Sequence, residues 1–317
     1  MEIINFKICL TPNTRPRVIF EGDKICNACK YKDKKNDVDW PKRKNELKAI
    51  CNKYRSKTNE YDCIVPWSGG KDSSSVAYKL KFDYGMNPLL VTFSPLIPSI
   101  VGVKNRKNFL DMGFDNVYFH PNEKVSRILS KRFFRERGNP KVHWDAGINS
   151  LPIQIACEKN IKLVFYAEHG ESEYGGRVLN KDSDKIRNFE EVIENQIGDD
   201  PQNWVSDEIN MYNLQPYIYP KLEVIKQKQI TPYYFSYFEK WDIHENYKFI
   251  KSKTKFSENE TRISGTFQNY DSLDDYIDPL YYYMQFIKFG FGRALRDASR
   301  LIRNNHLERD KGLEYVK

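Results

Sequence analysis

The 317-residue sequence has no apolar run approaching the ~20 residues that span a bilayer. Its opening, Met1-Glu2-Ile3-Ile4-Asn5-Phe6-Lys7, lacks the layout of a secretory signal. A soluble cytoplasmic protein without a membrane partner is expected. Internal repeats and low-complexity tracts are missing too. The net charge of +8 is moderate. No dense basic tract or recognisable RNA-binding module accompanies it. Anionic nucleotides or sugar acids suit that charge as well as nucleic acid does. Histidine is scarce, with 5 in all and none before His120, so none is available to an N-terminal metal site. The Walker A pattern, G-x-x-x-x-G-K-[ST], is absent as well.

What stands in place of Walker A is the segment Cys63-Ile64-Val65-Pro66-Trp67-Ser68-Gly69-Gly70-Lys71-Asp72-Ser73. A short apolar run suits a central parallel strand. Ser68, Gly69 and Gly70 then turn the chain, and a helical pattern follows. Glycine lets backbone approach a ligand closely and adopt positive φ. The N–H groups of such a turn and of the next helix N-terminus converge on one spot, where the helix dipole adds positive charge. Ser68 and Ser73 add hydroxyls, and Lys71 adds a cation. Asp72 beside phosphates calls for a metal between, and Mg²⁺ suits that place. The stretch therefore reads as a site for the pyrophosphate of ATP. Its spacing resembles the PP-loop of the ATP pyrophosphatase superfamily, S-G-G-x-D-S. A plain Gly-Gly turn capped by Asp72 or Ser73 is the alternative.

Around the loop, strands are expected at 61–67, 88–93, 115–119 and 161–166. Helices are expected at about 40–54, 72–84, 102–112, 123–137 and 148–159. Strand–helix alternation argues an α/β fold with a doubly wound parallel sheet. Ligands of such sheets sit beyond the C-terminal strand ends, at a switch point. That places Ser68–Ser73, Thr92-Phe93 and Glu168-His169-Gly170-Glu171 around one cleft. Three regions are expected: a Cys-containing head over 1–38, an ATP-binding α/β core over 39–176, and a substrate-binding, partly helical region over 177–317 that could also carry a homodimer surface. The aromatic stretch from 231 to 249 reads as core and packing.

Six cysteines are present. Cys26-Asn27-Ala28-Cys29 can grip one soft metal from a tight turn, with Cys9 as third ligand. A zinc knuckle, free thiols and an iron–sulfur cluster all stay open, and a fourth ligand is missing.

With these segments assembled, the chain resembles the N-acetyl sugar amidotransferases, enzymes that make acetamidino sugars for bacterial surface glycans. The likeness rests on Cys9-Leu10-Thr11-Pro12-Asn13-Thr14-Arg15-Pro16, Cys26-Asn27-Ala28-Cys29, Tyr61 through the loop, Val91-Thr92-Phe93, Glu168 to Gly176, Trp241-Asp242, Glu245-Asn246-Tyr247 and Phe289-Gly290-Phe291-Gly292-Arg293-Ala294. It departs at Phe6, where the family's first Cys would fall, and at Phe93 to Pro98 and Pro140 to Asp145.

The resemblance implies that ATP adenylates the oxygen of a sugar acetamide and that ammonia displaces AMP. The sugar enters free or nucleotide-linked. Pseudaminic, legionaminic and lipopolysaccharide O-antigen sugars are the family's products. Ser68, Gly69, Gly70, Lys71 and Ser73 would hold the pyrophosphate. Asp72 would hold Mg²⁺, and Thr92 and Phe93 would line the adenine pocket. One of Glu168, Glu171 and Glu173 would orient ammonia, take its proton or hold a second Mg²⁺. Tyr174 and Arg293 would meet the substrate, the arginine through a carboxylate or phosphate. Ammonia would come from separate glutaminase and channel subunits. Lys71→Ala is expected to abolish turnover and spare the fold. A tRNA-modifying enzyme of the thiolation type is the alternative, with Cys157 as the core Cys beyond Cys63.

Overall fold

Five parallel strands form one sheet in the order β3-β2-β1-β4-β5. They are β1 Cys63–Pro66, β2 Pro88–Phe93, β3 Asp115–Phe119, β4 Leu163–Tyr166 and β5 Thr231–Tyr234. The computed structural model describes residues 7–19, 24–58, 60–178 and 184–317. The chain winds from β1 outward to β3, returns to the centre at β4, and continues to the far edge. The direction reverses between β1 and β4, which pair Cys63 with Leu163 and Ile64 with Val164. That reversal opens a crevice at the C-terminal strand ends.

Alternation along the strands sends side chains to two faces. Ile64, Leu89, Val91, Phe93, Val164 and Tyr166 enter one apolar core. Cys63, Val65, Leu90, Leu163 and Phe165 enter the other. Helices cover both faces, as a doubly wound sheet requires.

Helix α1 (Asn27–Lys34) belongs to the N-terminal head. Helix α2 (Trp40–Tyr54) starts where Asp39 accepts from the Lys42 N–H at 2.9 Å, with a proline in the first turn. Helix α3 (Lys71–Tyr78) leaves the glycine loop, and the helix expected to reach 84 changes to a π-helical turn over Lys79–Asp83. Helices α4 (Ile100–Leu110) and α5 (Glu123–Arg137) follow β2 and β3. Asn122 caps the start of α5, and left-handed Gly138 ends it. Helix α6 (Val142–Lys159) begins six residues before the expected 148 and carries Pro152 inside. It packs across β1, β2 and β4.

After β4 come α7 (Gly170–Tyr174) and three short helices, α8 (Phe189–Val192), α9 (Met211–Leu214) and α10 (Leu222–Gln227). They lead to β5, a strand the sequence pattern did not reveal. It has four residues and contains Pro232, which an edge strand tolerates. Helix α11 (Ile243–Lys253) packs on α3. Helices α12 (Asp278–Phe289), α13 (Arg293–Arg303) and α14 (Arg309–Val316) close the chain. Phe235, Phe238 and Trp241 from the aromatic stretch are core residues. No described helix is long and apolar enough to cross a membrane.

Candidate functional site

The glycine loop sits directly on the end of β1. Trp67 donates its backbone N–H to the Val91 carbonyl at 2.8 Å, and its indole N–H to Ser74 Oγ at 2.8 Å. Gly69 has φ +93°, and a Cβ there would lie 2.5 Å from Arg106 Cγ. Both backbone conformation and space therefore demand glycine. The Gly70 N–H donates to Ser68 Oγ at 3.2 Å. Lys71, Asp72 and Ser73 form the first turn of α3.

A cavity of about 420 Å³ opens above the β1–β4 crevice, lined by Ser68 to Ser73, Phe93 and Glu168 among others. Residues Tyr270 to Asp274, before α12, form its far wall. Lys71 is buried there, 2.7 Å from Asp72 Oδ2 and 2.5 Å from Asp271 Oδ1. Burial alone would lower its pKa. Asp271 and Asp72 outweigh that and hold the ammonium above its ordinary range. Asp271 also faces Arg296 at 3.1 Å and Arg300 at 3.6 Å. Burial would raise the Asp271 carboxyl, but Lys71 and both arginines keep it well below the carboxylate range. Asp72 accepts from Asn246 Nδ2 at 3.1 Å.

Glu168 follows β4 across the crevice. Burial, then the nearby Asp72 charge, push its carboxyl up to about 7, against the Tyr174 hydroxyl that donates to it at 3.0 Å. Tyr174 lies under the Arg300 guanidinium, 4.0 Å from the ring centre. Asp72 is near enough for its charge to act on Glu168, and its carboxylate offers hard oxygens of the kind Mg²⁺ takes.

The other expected site residues lie elsewhere. Thr92 does not line the cavity. Its hydroxyl donates to the Trp67 carbonyl at 2.6 Å and accepts from Asn116 Nδ2 at 3.0 Å. Alternation along β2 turns Val91 and Phe93 to the cavity and Thr92 away from it. Phe93, in the cavity lining as expected, packs against Gly147, where a Cβ would come within 2.4 Å of its ring. Glu171 turns outward to Arg17 at 2.8 Å and accepts from the Arg177 N–H at 2.9 Å. Gly176 leaves the space for that carboxylate, and left-handed Gly175 ends α7. Glu173 is buried against Lys35 at 2.5 Å. Both glutamates tie the head to the core. Arg293 is fully buried behind the cavity, where its Nη2 donates to the Asp271 carbonyl at 2.5 Å. It positions Asp271 and does not face the cavity.

Sequence reasoning missed Asp271, Asn246 and Arg187, all of which reach this site from loops or helices far along the chain. The acidic run Asp271-Ser272-Leu273-Asp274-Asp275 was the available signal for the first.

In the head, the sulfur atoms of Cys9, Cys26 and Cys29 lie within 4.8 Å of one another, all buried. Hydrogen bonds from Cys26 and Cys29 hold the Cys9 thiol well below its ordinary range. Arg303 Nη1 approaches Cys9 Sγ at 3.9 Å. Three converging sulfurs beside a fixed cation fit a soft metal such as zinc. Among the described residues no fourth ligand joins them. Phe6, where the family's first Cys would fall, lies outside the described residues. Cys51 and Cys63 are buried in α2 and β1, and Cys157 is half-buried in α6.

Comparison with known proteins gives likenesses of three kinds. Residues 264–317 match the C-terminal domain of WbpG-like LPS biosynthesis proteins. That segment includes Asp271, Arg293, Arg296, Arg300 and Arg303. Over 85 residues the chain is 34% identical to the uncharacterized protein MJ1599 of Methanocaldococcus jannaschii, covering 26% of this chain and 30% of that protein. The match thus spans under a third of the relative's length. The crystal structure of a predicted subunit of tRNA methyltransferase from the same organism overlays at a TM-score of 0.31, with 14% identity. The overlay covers 76% of this chain and 90% of that one. At that score the overlay carries no weight for fold or function.

Proposed function

We propose that the protein is an ATP-dependent amidotransferase that converts a sugar acetamido group to an acetamidino group for lipopolysaccharide or related surface-glycan synthesis. The observation that carries the reading is the Ser68–Ser73 loop at the β1–β4 switch point, with Lys71 and Glu168 on one cavity. The WbpG-like C-terminal segment supports the glycan context.

An acetamide oxygen must become a leaving group before ammonia can replace it. The carbonyl oxygen would attack the α-phosphorus of ATP, and the bond to the pyrophosphate oxygen would break. The loop N–H groups, Ser68, Ser73 and Lys71 would stabilise charge on the departing pyrophosphate. Asp72 would hold Mg²⁺, which supplies further charge neutralisation at phosphate oxygens. Ammonia would then add to the imidate carbon, and AMP would leave. Glu168, with a carboxyl near neutrality, would accept the proton that nitrogen loses. Phe93 would flank the adenine. Ammonia would reach the site from separate glutaminase and channel subunits.

The test is incubation with ATP, Mg²⁺, ammonia and a panel of acetamido sugars. Expected products are AMP, pyrophosphate and a sugar in which mass spectrometry shows the acetamide oxygen replaced by NH. Pyrophosphate release that requires tRNA would sink the sugar reading. No cysteine lines the cavity among the described residues, and a thiolation route would want one there.

A further inference from the structure

Among the described residues, two cationic side chains line the large cavity, Lys71 and Arg187. Lys71 meets two carboxylates. Arg187 meets only neutral partners among the described residues. Its Nη1 donates to the Tyr234 hydroxyl at 2.9 Å, and its Nη2 to Asn149 Oδ1 and, at 3.4 Å, to Gln196 Oε1. The guanidinium lies 4.2 Å from the Tyr166 ring centre, and Nε has no partner. The residue is only 9% exposed.

A guanidinium stays charged in a protein. Withdrawing it from water without a counter-charge is costly, and neutral acceptors and ring faces offset only part of the loss. The backbone nevertheless holds it firmly in place. The Arg187 N–H donates to the Pro232 carbonyl at 2.8 Å, and the Tyr234 N–H donates to the Lys185 carbonyl at 2.9 Å. Residues 185–187 therefore seal the outer edge of β5 and present Arg187 to the cavity. Tyr166 ends β4 two residues before Glu168, so the unpaired cation and the near-neutral carboxyl flank the same strand exit. The phosphate loop follows β1, two strands from β5, or about 10 Å across the sheet. Both cations line the same cavity of about 420 Å³, which has room for a sugar ring.

We propose that Arg187 anchors an anionic group of the acceptor sugar, either a ring carboxylate or the diphosphate of a nucleotide sugar. The proposal rests on the acetamido-sugar reading above and gives Arg187 the role that sequence reasoning assigned to Arg293. Seated there, the acceptor would turn its acetamido group toward Glu168 and the loop.

Equilibrium binding by calorimetry without ATP tests this independently of turnover. The probes are N-acetylglucosaminuronate, UDP-N-acetylglucosamine and neutral N-acetylglucosamine. The wild type should bind at least one anionic probe roughly 10- to 100-fold more tightly than the neutral sugar, the range expected for a hydrogen-bonded charge contact. Arg187→Met should remove that preference and leave the neutral sugar unchanged, while Arg187→Lys should restore part of it. Whichever anionic probe loses affinity identifies carboxylate or diphosphate as the anchored group. The proposal is overturned if the wild type shows no anion preference, or if Arg187→Met binds both anionic probes normally. It is also overturned if Arg187→Lys fails as completely as Arg187→Met, which would make Arg187 a structural clamp between α6 and β5. Anion-dependent binding with no amidine product would instead reject the amidotransfer reading and leave the anchor standing.

Discussion

Lys71 Nζ sits 2.5 Å from Oδ1 of Asp271, a residue 200 positions further along the chain. The loop lysine is therefore part of a buried charge network, with Asp72, Asp271, Arg296 and Arg300 as its members. The expectation that Lys71→Ala spares the fold needs correction. Removal leaves Asp72 and Asp271 facing each other without their shared cation, although Asp271 keeps two arginines. Lys71→Ala should abolish pyrophosphate release and also cost about 1–3 kcal/mol of stability. Denaturant titration beside the turnover assay checks both. Unchanged stability would mean that the pair is open in solution.

Glu168 gives the pH dependence. Burial and Asp72 raise its carboxyl to about 7, so it is an available base only above that pH. kcat/KM should rise through a midpoint near 7, and Glu168→Gln should lower activity and erase that limb. Stability moves the other way. A raised carboxyl binds its proton more tightly folded than unfolded, so its contribution is full below the unfolded value of about 4.3 and is lost as pH rises to 7. Asp145, raised to about 7 by burial, and Asp274, raised to about 6 by burial and Asp278, act in the same direction. Glu168→Gln should therefore melt higher than the wild type at pH 8 and nearly alike at pH 4. A wild-type advantage at pH 8 would contradict the burial of this carboxyl.

The legible parts of the fold and site were contiguous ones. Ser68 to Ser73 are contiguous, and β1 and β2 are short, mostly apolar runs, so sequence spacing located them. β5 was hidden because a four-residue edge strand with Pro232 gives no periodic signal. Asp271 and Arg187 were hidden because the tertiary fold brings them to the cavity from polar segments. The three glutamates after β4 looked equivalent in sequence. Glu168 precedes α7 and faces the crevice, while Glu171 and Glu173 lie in that one-turn helix and point to the head. Position before the helix or within it separates the base from the two tethers.

That separation predicts distinct phenotypes. Glu173 and Lys35 form a pair in which both side chains are nearly buried, and Lys35 also donates to the Trp241 carbonyl at 3.1 Å. Glu173→Ala leaves a buried ammonium short of its counter-charge and should cost about 3–5 kcal/mol of stability. Below its lowered melting temperature the variant should keep the wild-type KM for the sugar. A raised KM with normal stability would return Glu173 to the substrate site.

The Cys9, Cys26 and Cys29 cluster predicts a metal with three protein thiolates. Three uncoordinated thiols this close would keep mostly protonated sulfur at neutral pH. Arg303, by contrast, is buried with thiol sulfur and the Thr11 hydroxyl as its hydrogen-bond partners. A bound divalent ion with three thiolates carries net negative charge, which that arginine would balance. Purified protein should contain one equivalent of zinc by elemental analysis. Cys29→Ser should lose it and unfold at lower temperature, since metal binding is folding free energy where the site forms only on folding. Arg303→Met should weaken metal retention against a chelator while leaving all three cysteines in place. Metal-free protein with full stability and three freely titrating thiols would reject the site.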